Sequence, residues 1–284
     1  MSKIIRLIAP DWQGGNKREY YFGAELLSWL APKNANQKVI KLDVMEPKNE
    51  ELKKENGVIA QSCVKQNVSR AANVLKEELP DKIITFGGNC LVSQAPFDYL
   101  HGKYGSDLGV IWIDSHPDVS TPKEFYHEHA MVLGNLLGAG DPELSKSVEF
   151  PFNSGQFLYV GLQKPLDLEV KLLKNLNLNY TVQDKKLLKL EEIQKWIKEN
   201  NFTKIAIHLD LDVLDPELFR SLYFSEPGVT DFPSESGKMT PKALLNILKG
   251  IFEENDVVGL TIAEFLPWDA INLKNILCKL DIFK

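Results

Sequence analysis

The amino-acid sequence predicts an α/β protein built on a buried parallel sheet. Short runs rich in Ile, Val and Leu recur along the chain, longer stretches with helical spacing separate them, and the alternation continues over all 284 residues. Such alternation suits a single large domain over residues 1–284, formed either as one doubly wound sheet or as a (β/α)8 barrel. A hydrophobic content of 44% supplies the material for a sizeable core. No G-x-G-x-x-G follows the first apolar run, which argues against a dinucleotide-binding fold.

In chain order the predicted strands are I-I-R-L-I-A (4–9), K-V-I-K-L (38–42), K-I-I-T-F (82–86), L-G-V-I-W-I (108–113), Q-F-L-Y-V-G-L (156–162), K-I-A-I-H-L (204–209) and V-V-G-L-T-I-A (257–263). Helical spacing covers 58–79, 168–176, 190–200, 241–254 and 270–280, and the fourth of these opens on Thr240 with proline at its first position. One long irregular stretch, 219–237, is rich in Ser, Pro, Glu and Gly; a loop of that length is either functional or a surface insertion.

Composition excludes several classes of partner. The net charge of −6, with no basic arm or stripe, argues against nucleic acid and against anionic membrane surfaces. About 18 uninterrupted apolar residues are needed to span a bilayer, and no such run occurs. The N-terminal run turns polar too soon for a signal peptide, so a cytoplasmic location is expected. Three scattered cysteines, Cys63, Cys90 and Cys278, do not make a disulfide framework, and reduced thiols are expected.

The chemistry concentrates at two strand ends. L-G-V-I-W-I runs into Asp114-Ser115-His116-Pro117-Asp118, where an extended backbone would put Asp114, His116 and Asp118 on one face. A second strand repeats the device: its even positions read Ala206, His208, Asp210, Asp212. Ligands of open α/β sheets bind at the C-terminal strand edge. A lone D-x-H or D-x-D is common in loops as turn and capping chemistry. Two of them at strand ends bring together more carboxylates than can be buried without a cation to offset them. Oxygen-rich ligands with one imidazole suit Mn²⁺ and related divalent ions, and bridging carboxylates between two ions accommodate so many acids.

These motifs resemble the signatures of the arginase, agmatinase and formiminoglutamase (ureohydrolase) family. D-S-H-P-D resembles the family's D-A-H-x-D, and H-L-D-L-D-V-L-D-P resembles S-x-D-x-D-x-x-D-P. F-G-G-N-C (86–90) stands where the family has G-G-D-H-S, V-G-L (160–162) resembles its I-G-x-R strand, and G-L-T-I-A-E-F-L-P (259–267) resembles the strand ending in V-E-F-N-P. The resemblance implies a three-layer α/β/α sandwich around a mainly parallel sheet, two divalent ions with Mn²⁺ first, a small guanidino or amidine substrate, and a trimer or hexamer. It implies that Asp114 and Asp210 bridge the ions, that Asp118 and position 90 complete the first shell, and that His116 and Asp212 complete the second. It further implies that Asp118 accepts a proton, that Glu264 anchors the guanidinium, and that a histidine downstream passes protons to the leaving group. His127 and His129 are the candidates, and His129 fits better because H-A-M-V-L-G resembles the family's H-G-M stretch.

The sequence departs from the family at several positions. Cys90 replaces the family's histidine; it would either ligate as a thiolate, tilting the site toward Zn²⁺, Fe²⁺, Co²⁺ or Ni²⁺, or leave the first site weak. Asn89 replaces the preceding aspartate. Ser120 stands where arginases carry an asparagine, and Leu166 or its neighbours fill the place of an acid, so the expected substrate extends beyond free arginine to agmatine or another guanidino compound. Hydrolysis of a linear amidine C–N bond is the leading expectation, and a non-catalytic homologue that binds metal or a guanidino ligand is the rival. A deacetylase-like hydrolase would bind a single metal and need a His-His pair, and the sequence has no such pair in the right place.

Overall fold

The computed structural model describes residues 2–48, 51–184 and 186–283. Strands β1 (Ile4–Ala9), β2 (Lys38–Lys41), β5 (Lys82–Gly87), β6 (Leu108–Ile113), β7 (Phe157–Val160), β8 (Lys204–Asp210) and β9 (Val257–Ala263) form one sheet in the order β2-β1-β5-β9-β8-β6-β7. Every neighbouring pair runs parallel. The sheet is open, with β2 and β7 at its edges, so the barrel alternative does not hold.

Helices cover both faces, giving the three-layer α/β/α sandwich. The sheet is buried on two sides: Val110 and Trp112 of β6 belong to one apolar cluster, while Ile111 and Ile113 belong to the other. The first cluster takes in α2 (Gln61–Glu78) through Val64, Val68 and Leu75, and α3 (Gln94–Tyr104) through Phe97 and Leu100. The second takes in the helix Leu190–Glu199 through Ile193 and Ile197, and the helix Pro241–Glu254 through Leu244, Ile247 and Ile251. Continuous apolar runs such as 108–113 are what a strand buried on both faces requires. No helix among the described residues is long and apolar enough to cross a membrane.

Three differences from the sequence expectation have identifiable causes. The segment expected to be helical from 58 begins instead with a two-strand hairpin, β3 (Lys54–Glu55) and β4 (Val58–Ile59), and the helix starts at Gln61. Asn56-Gly57 makes the turn with positive φ at both residues (49° and 94°), the geometry that an Asn-Gly pair supplies at low cost. Helices α1 (Glu19–Leu30) and α3 were not expected, because Gly23 interrupts the first and Pro96 and Gly102 the second. Pro96 is tolerated because it lies in the first turn. The last helix, expected over 270–280, spans Trp268–Leu277.

The order β5-β9-β8-β6 places four strand ends side by side at the centre of the sheet, and their registers align Phe86 with Ile262, Asp210 with Ala263, and Ile113 with Leu209. Just beyond β5 the backbone passes very close to the segment after β1: a Cβ on Gly88 would lie 1.8 Å from the Asp11 carbonyl oxygen. The Gly88 carbonyl also accepts from the Glu264 amide at 2.9 Å, so this glycine ties β5 to the end of β9. Gly88→Ala is expected to cost about 1–3 kcal/mol by overpacking and to lower Tm by several degrees in scanning calorimetry. An unchanged Tm would contradict this close approach.

Candidate metal centre

Both acidic motifs are shaped by the same local hydrogen bond. Asp114 Oδ1 accepts from the His116 amide at 2.6 Å, and Asp210 Oδ1 accepts from the Asp212 amide at 2.7 Å. In each D-x-H or D-x-D the first carboxylate closes an Asx-type turn on the residue two positions on, which folds the chain as it leaves the strand. This corrects the extended-chain expectation: β6 stops at Ile113, and Asp118 takes a left-handed φ of 52°. Convergence comes from turns rather than from strand alternation.

The side chains gather in overlapping groups. Ligand atoms of Asp114, His116 and Asp212 lie within 4.8 Å of one another, as do those of Cys90, Asp114, His208 and Asp210, those of Asp210, Asp212 and Glu264, and those of Cys90, His129 and Glu264. His116 Nδ1 is 2.9 Å from Asp212 Oδ2 and 3.7 Å from Asp114 Oδ1. Ser115 Oγ donates to the other Asp212 oxygen at 2.7 Å. Cys90 Sγ donates to Asp210 Oδ2 at 2.8 Å and lies 3.5 Å from Glu264 Oε1. Asp118 falls in none of these groups; it is buried nearby with Oδ2 unpartnered. Asn89, beside Cys90, is tied away from the centre by hydrogen bonds to the Asp11 carbonyl and carboxylate.

Glu264 closes the far side from the end of β9, with a left-handed φ of 64° turning it inward. Its Oε1 pairs with His129 Nδ1 at 2.8 Å, and its Oε2 accepts from the Tyr20 hydroxyl at 2.7 Å. Burial, and then the Glu264 charge, push the Tyr20 phenol well above its ordinary value, so it stays a neutral donor. His127 has no such pairing: its Nε2 is buried without a partner, and burial followed by the His129 charge pushes its pKa down to about 4. The structure therefore puts His129, not His127, against Glu264.

The long loop 219–237 lies over the centre rather than projecting as an insertion. Phe224 stacks on His116 with centroids 5.8 Å apart, Ser234 Oγ sits 3.0 Å from His116 Nε2, and Glu226 pairs with Lys17 at 2.7 Å. Leu166 is exposed and brings no charge to the site, whereas the half-buried Glu169 sends a field that reaches both His116 and Asp118.

His208 lies on the polar face of its strand, yet neither sequence motif counts it among the ligands. The signal was present, two residues ahead of Asp210 on the same face. Tyr20 carried none, because it lies in an unrecognised helix. Burial holds His208 as a neutral imidazole, its pKa pushed down to about 3 against the weaker opposing pull of Asp212.

Burial, and then neighbouring negative charge, push Asp114, Asp118 and Asp210 well above the usual carboxylate range. Burial and the Asp210 and Glu264 charges push the Cys90 thiol up as well. Burial opposes the charge on His116, but Asp212 and Asp114 overcome it and raise that imidazole to about 10. Asp212 ends below its ordinary value because His116 and Ser115 outweigh its own burial. The donor set fits divalent ions: it is oxygen-rich, buried, self-repelling, and contains two orphaned buried ligand atoms, Asp118 Oδ2 and His208 Nε2.

An open parallel sheet with this cluster at the C-terminal ends of its central strands defines an α/β protein with a candidate binuclear metal centre. The chain belongs to the Arginase family, whose model matches residues 26–275. It is 25% identical over 260 residues to the arginase of Entamoeba histolytica, covering 84% of this chain and 86% of that one. It is 26% identical over 159 residues to an arginase of Staphylococcus aureus, covering 54% of this chain and 51% of the relative. The crystal structure of the Entamoeba histolytica arginase in complex with L-ornithine superposes with a TM-score of 0.78 at 18% identity, covering 98% and 96% of the two chains. The formimidoylglutamase of Bacillus subtilis shares the fold at a TM-score of 0.61 and 16% identity, over 93% and 79%.

The electrostatics fix the sign of one measurement. Ligands bind metal in their deprotonated forms, while without the ion His116 and the Cys90 thiol hold their protons at neutral pH, and burial favours the protonated forms of Asp114 and Asp210. Mn²⁺ uptake is expected to release protons, with apparent affinity rising about tenfold per pH unit for each proton displaced. Calorimetric titrations between pH 6 and 8, in buffers of different ionisation heat, check this; affinity independent of pH would contradict it.

Proposed function

We propose that the chain is a metal-dependent hydrolase that cleaves the C–N bond of a linear guanidino or amidine compound, releasing an amine, and urea when the substrate is a guanidine. The observation that supports this most is the meeting of Asp114, His116, Asp210 and Asp212 from two separate strands, with Glu264 facing them from a third. Manganese is the first expectation by family, and the Cys90 thiol admits Ni²⁺, Zn²⁺, Fe²⁺ or Co²⁺.

When bound, the ions would be held by Asp114, Asp210, His116, Asp212 and the Cys90 side of the cluster, and they would supply the charge that acidifies water and polarises the amidine. Glu264 binds the guanidinium: a carboxylate has about four lone-pair sites, and Tyr20 and His129 use only some of them while holding it in place. Asp118, whose Oδ2 is buried without a partner, takes the proton of the attacking water. His129 is partly exposed, so it can draw a proton from solvent and hand it to the departing nitrogen as the C–N bond breaks. Phe224 and the rest of the 219–237 loop restrict water around His116. The charge of Glu169 favours a substrate with a cationic tail, which includes agmatine as well as arginine.

The rival reading, a homologue that binds without turning over, draws its support from Cys90, whose thiol is engaged with Asp210. Reconstitution of the ion-free protein separately with Mn²⁺, Ni²⁺, Co²⁺, Fe²⁺ and Zn²⁺ distinguishes the two. Assays of urea or ammonia release follow with arginine, agmatine, guanidinobutyrate, formiminoglutamate and guanidine. Turnover of at least one is expected; tight ion binding with no turnover of any would favour the rival. Asp210→Asn is expected to lower turnover by more than about 100-fold and to reduce metal occupancy, since losing a ligand should exceed the loss of an outer-shell partner. Full turnover in that variant would refute the assigned centre.

A further inference from the structure

We propose that His208 Nε2 is the nitrogen ligand of the ion on the Cys90 side, so that the imidazole missing at position 90 enters the same shell from the neighbouring strand β8. The inference rests on the reading of the site as a two-ion centre and adds a ligand to it. Relative to the family signatures, the chain has exchanged two positions: cysteine for histidine at 90, and histidine for serine at 208.

The geometry carries the argument. His208 is fully buried, and its Nε2 has no hydrogen-bond partner although a buried polar nitrogen ordinarily has one. That nitrogen is 3.5 Å from Asp114 Oδ2, and a ring nitrogen of His208 lies within 4.8 Å of ligand atoms of Cys90, Asp114 and Asp210. The other ring nitrogen, Nδ1, is 2.7 Å from Ser93 Oγ. With Nδ1–H donating to Ser93, the lone pair is left on Nε2 and faces the acids, the arrangement that orients most ligating imidazoles. The ring is fixed by stacking on Trp112, at 3.8 Å between centroids and 15° between planes. Trp112 Nε1 in turn donates to Asp114 Oδ2 at 3.2 Å, so one indole supports both groups. A core histidine kept for packing alone would be expected to satisfy both nitrogens.

The two strands also explain why the exchange works sterically. β8 lies between β6 and β9, and His208 pairs in register with Trp112 and Thr261, one step inside the row that bears Asp210. Cys90 arrives from the loop after β5, on the other side of β9, and its side chain is shorter than histidine. The space a histidine at 90 would need is therefore reduced on one side and filled from the other.

The test counts ions. Wild-type protein and His208→Ser are stripped, equilibrated with Mn²⁺ or Co²⁺, and measured by plasma mass spectrometry and by competition with a chelating dye. Wild type is expected to hold two ions per chain. His208→Ser is expected to hold one, with the second weakened more than about 100-fold, and the double variant Cys90→His with His208→Ser to regain two. Two ions bound by His208→Ser as tightly as by wild type would overturn the inference while leaving the two-ion centre standing; no ion bound by wild type would overturn both. If His208→Ser fails to fold by circular dichroism, proton NMR of the Co²⁺-loaded wild type decides. A strongly shifted, slowly exchanging imidazole N–H is expected from the buried Nδ1–H held by Ser93, and its absence would overturn the assignment.

Discussion

The structure depends on one constraint: acids buried together at the end of a parallel sheet repel one another and resist ionisation. Asp114, Asp118, Asp210 and Asp212 are all essentially excluded from water; Asp114, Asp210 and Asp212 gather with Glu264 and Cys90, and Asp118 is buried beside them. Burying a single unpaired carboxylate already costs several kcal/mol in a real protein, and like charges add to that. Without an ion that cost favours the protonated forms of Asp114, Asp118 and Asp210, while at Asp212 His116 and Ser115 offset it with charge and hydrogen bonds. Divalent ions would meet it by supplying positive charge. Sheet topology makes the accumulation possible, because β5, β9, β8 and β6 are neighbours and end level with one another.

Rigid strands and strained turns divide the labour around that centre. The apolar interior of β6, locked between two cores, fixes where Asp114 begins; the Asx-type turns at Asp114 and Asp210 then fix where His116 and Asp212 go. Asp118 and Glu264 each sit at positive φ, a conformation that costs a non-glycine residue of order 1 kcal/mol or more and persists where the surroundings over-determine it. Both are residues to which the proposed reaction gives a direct role. The loop over His116 is anchored at its other side by Lys17, whose ammonium also lies over the rings of Tyr223 and Trp268. The loop, the segment leading into α1 and the start of the last helix are thus fastened together.

Much of this was legible in the chain. All seven strands of the sheet lie within a residue or two of the apolar runs that predict them; the central strands, covered on both faces, need an uninterrupted apolar sequence, whereas the edge strand β2 is largely exposed. The D-S-H-P-D and D-L-D motifs pointed to the right edge of the sheet for a reason only half correct, since turns and not strand alternation bring their side chains together. Helix α1 escaped because its aromatic residues and Gly23 blur the helical pattern, and with it went Tyr20, the donor on Glu264. The Asn56-Gly57 hairpin was a readable turn signal that the longer helical pattern masked. His208 was visible as the polar neighbour of Asp210, yet its meaning needed the third dimension: only folding brings its Nε2 to 3.5 Å from Asp114 Oδ2, in one group with Cys90 and Asp210.

Diffraction from crystals soaked in Mn²⁺, recorded to exploit the anomalous signal of manganese, measures the central claim most directly. The account requires two anomalous peaks lying between the turn that follows β6 and the turn that follows β8, with Asp114 and Asp210 among the residues that hold them. A crystal with no peak there, or with a single ion bound by surface acids away from Asp114 and Asp210, would contradict it.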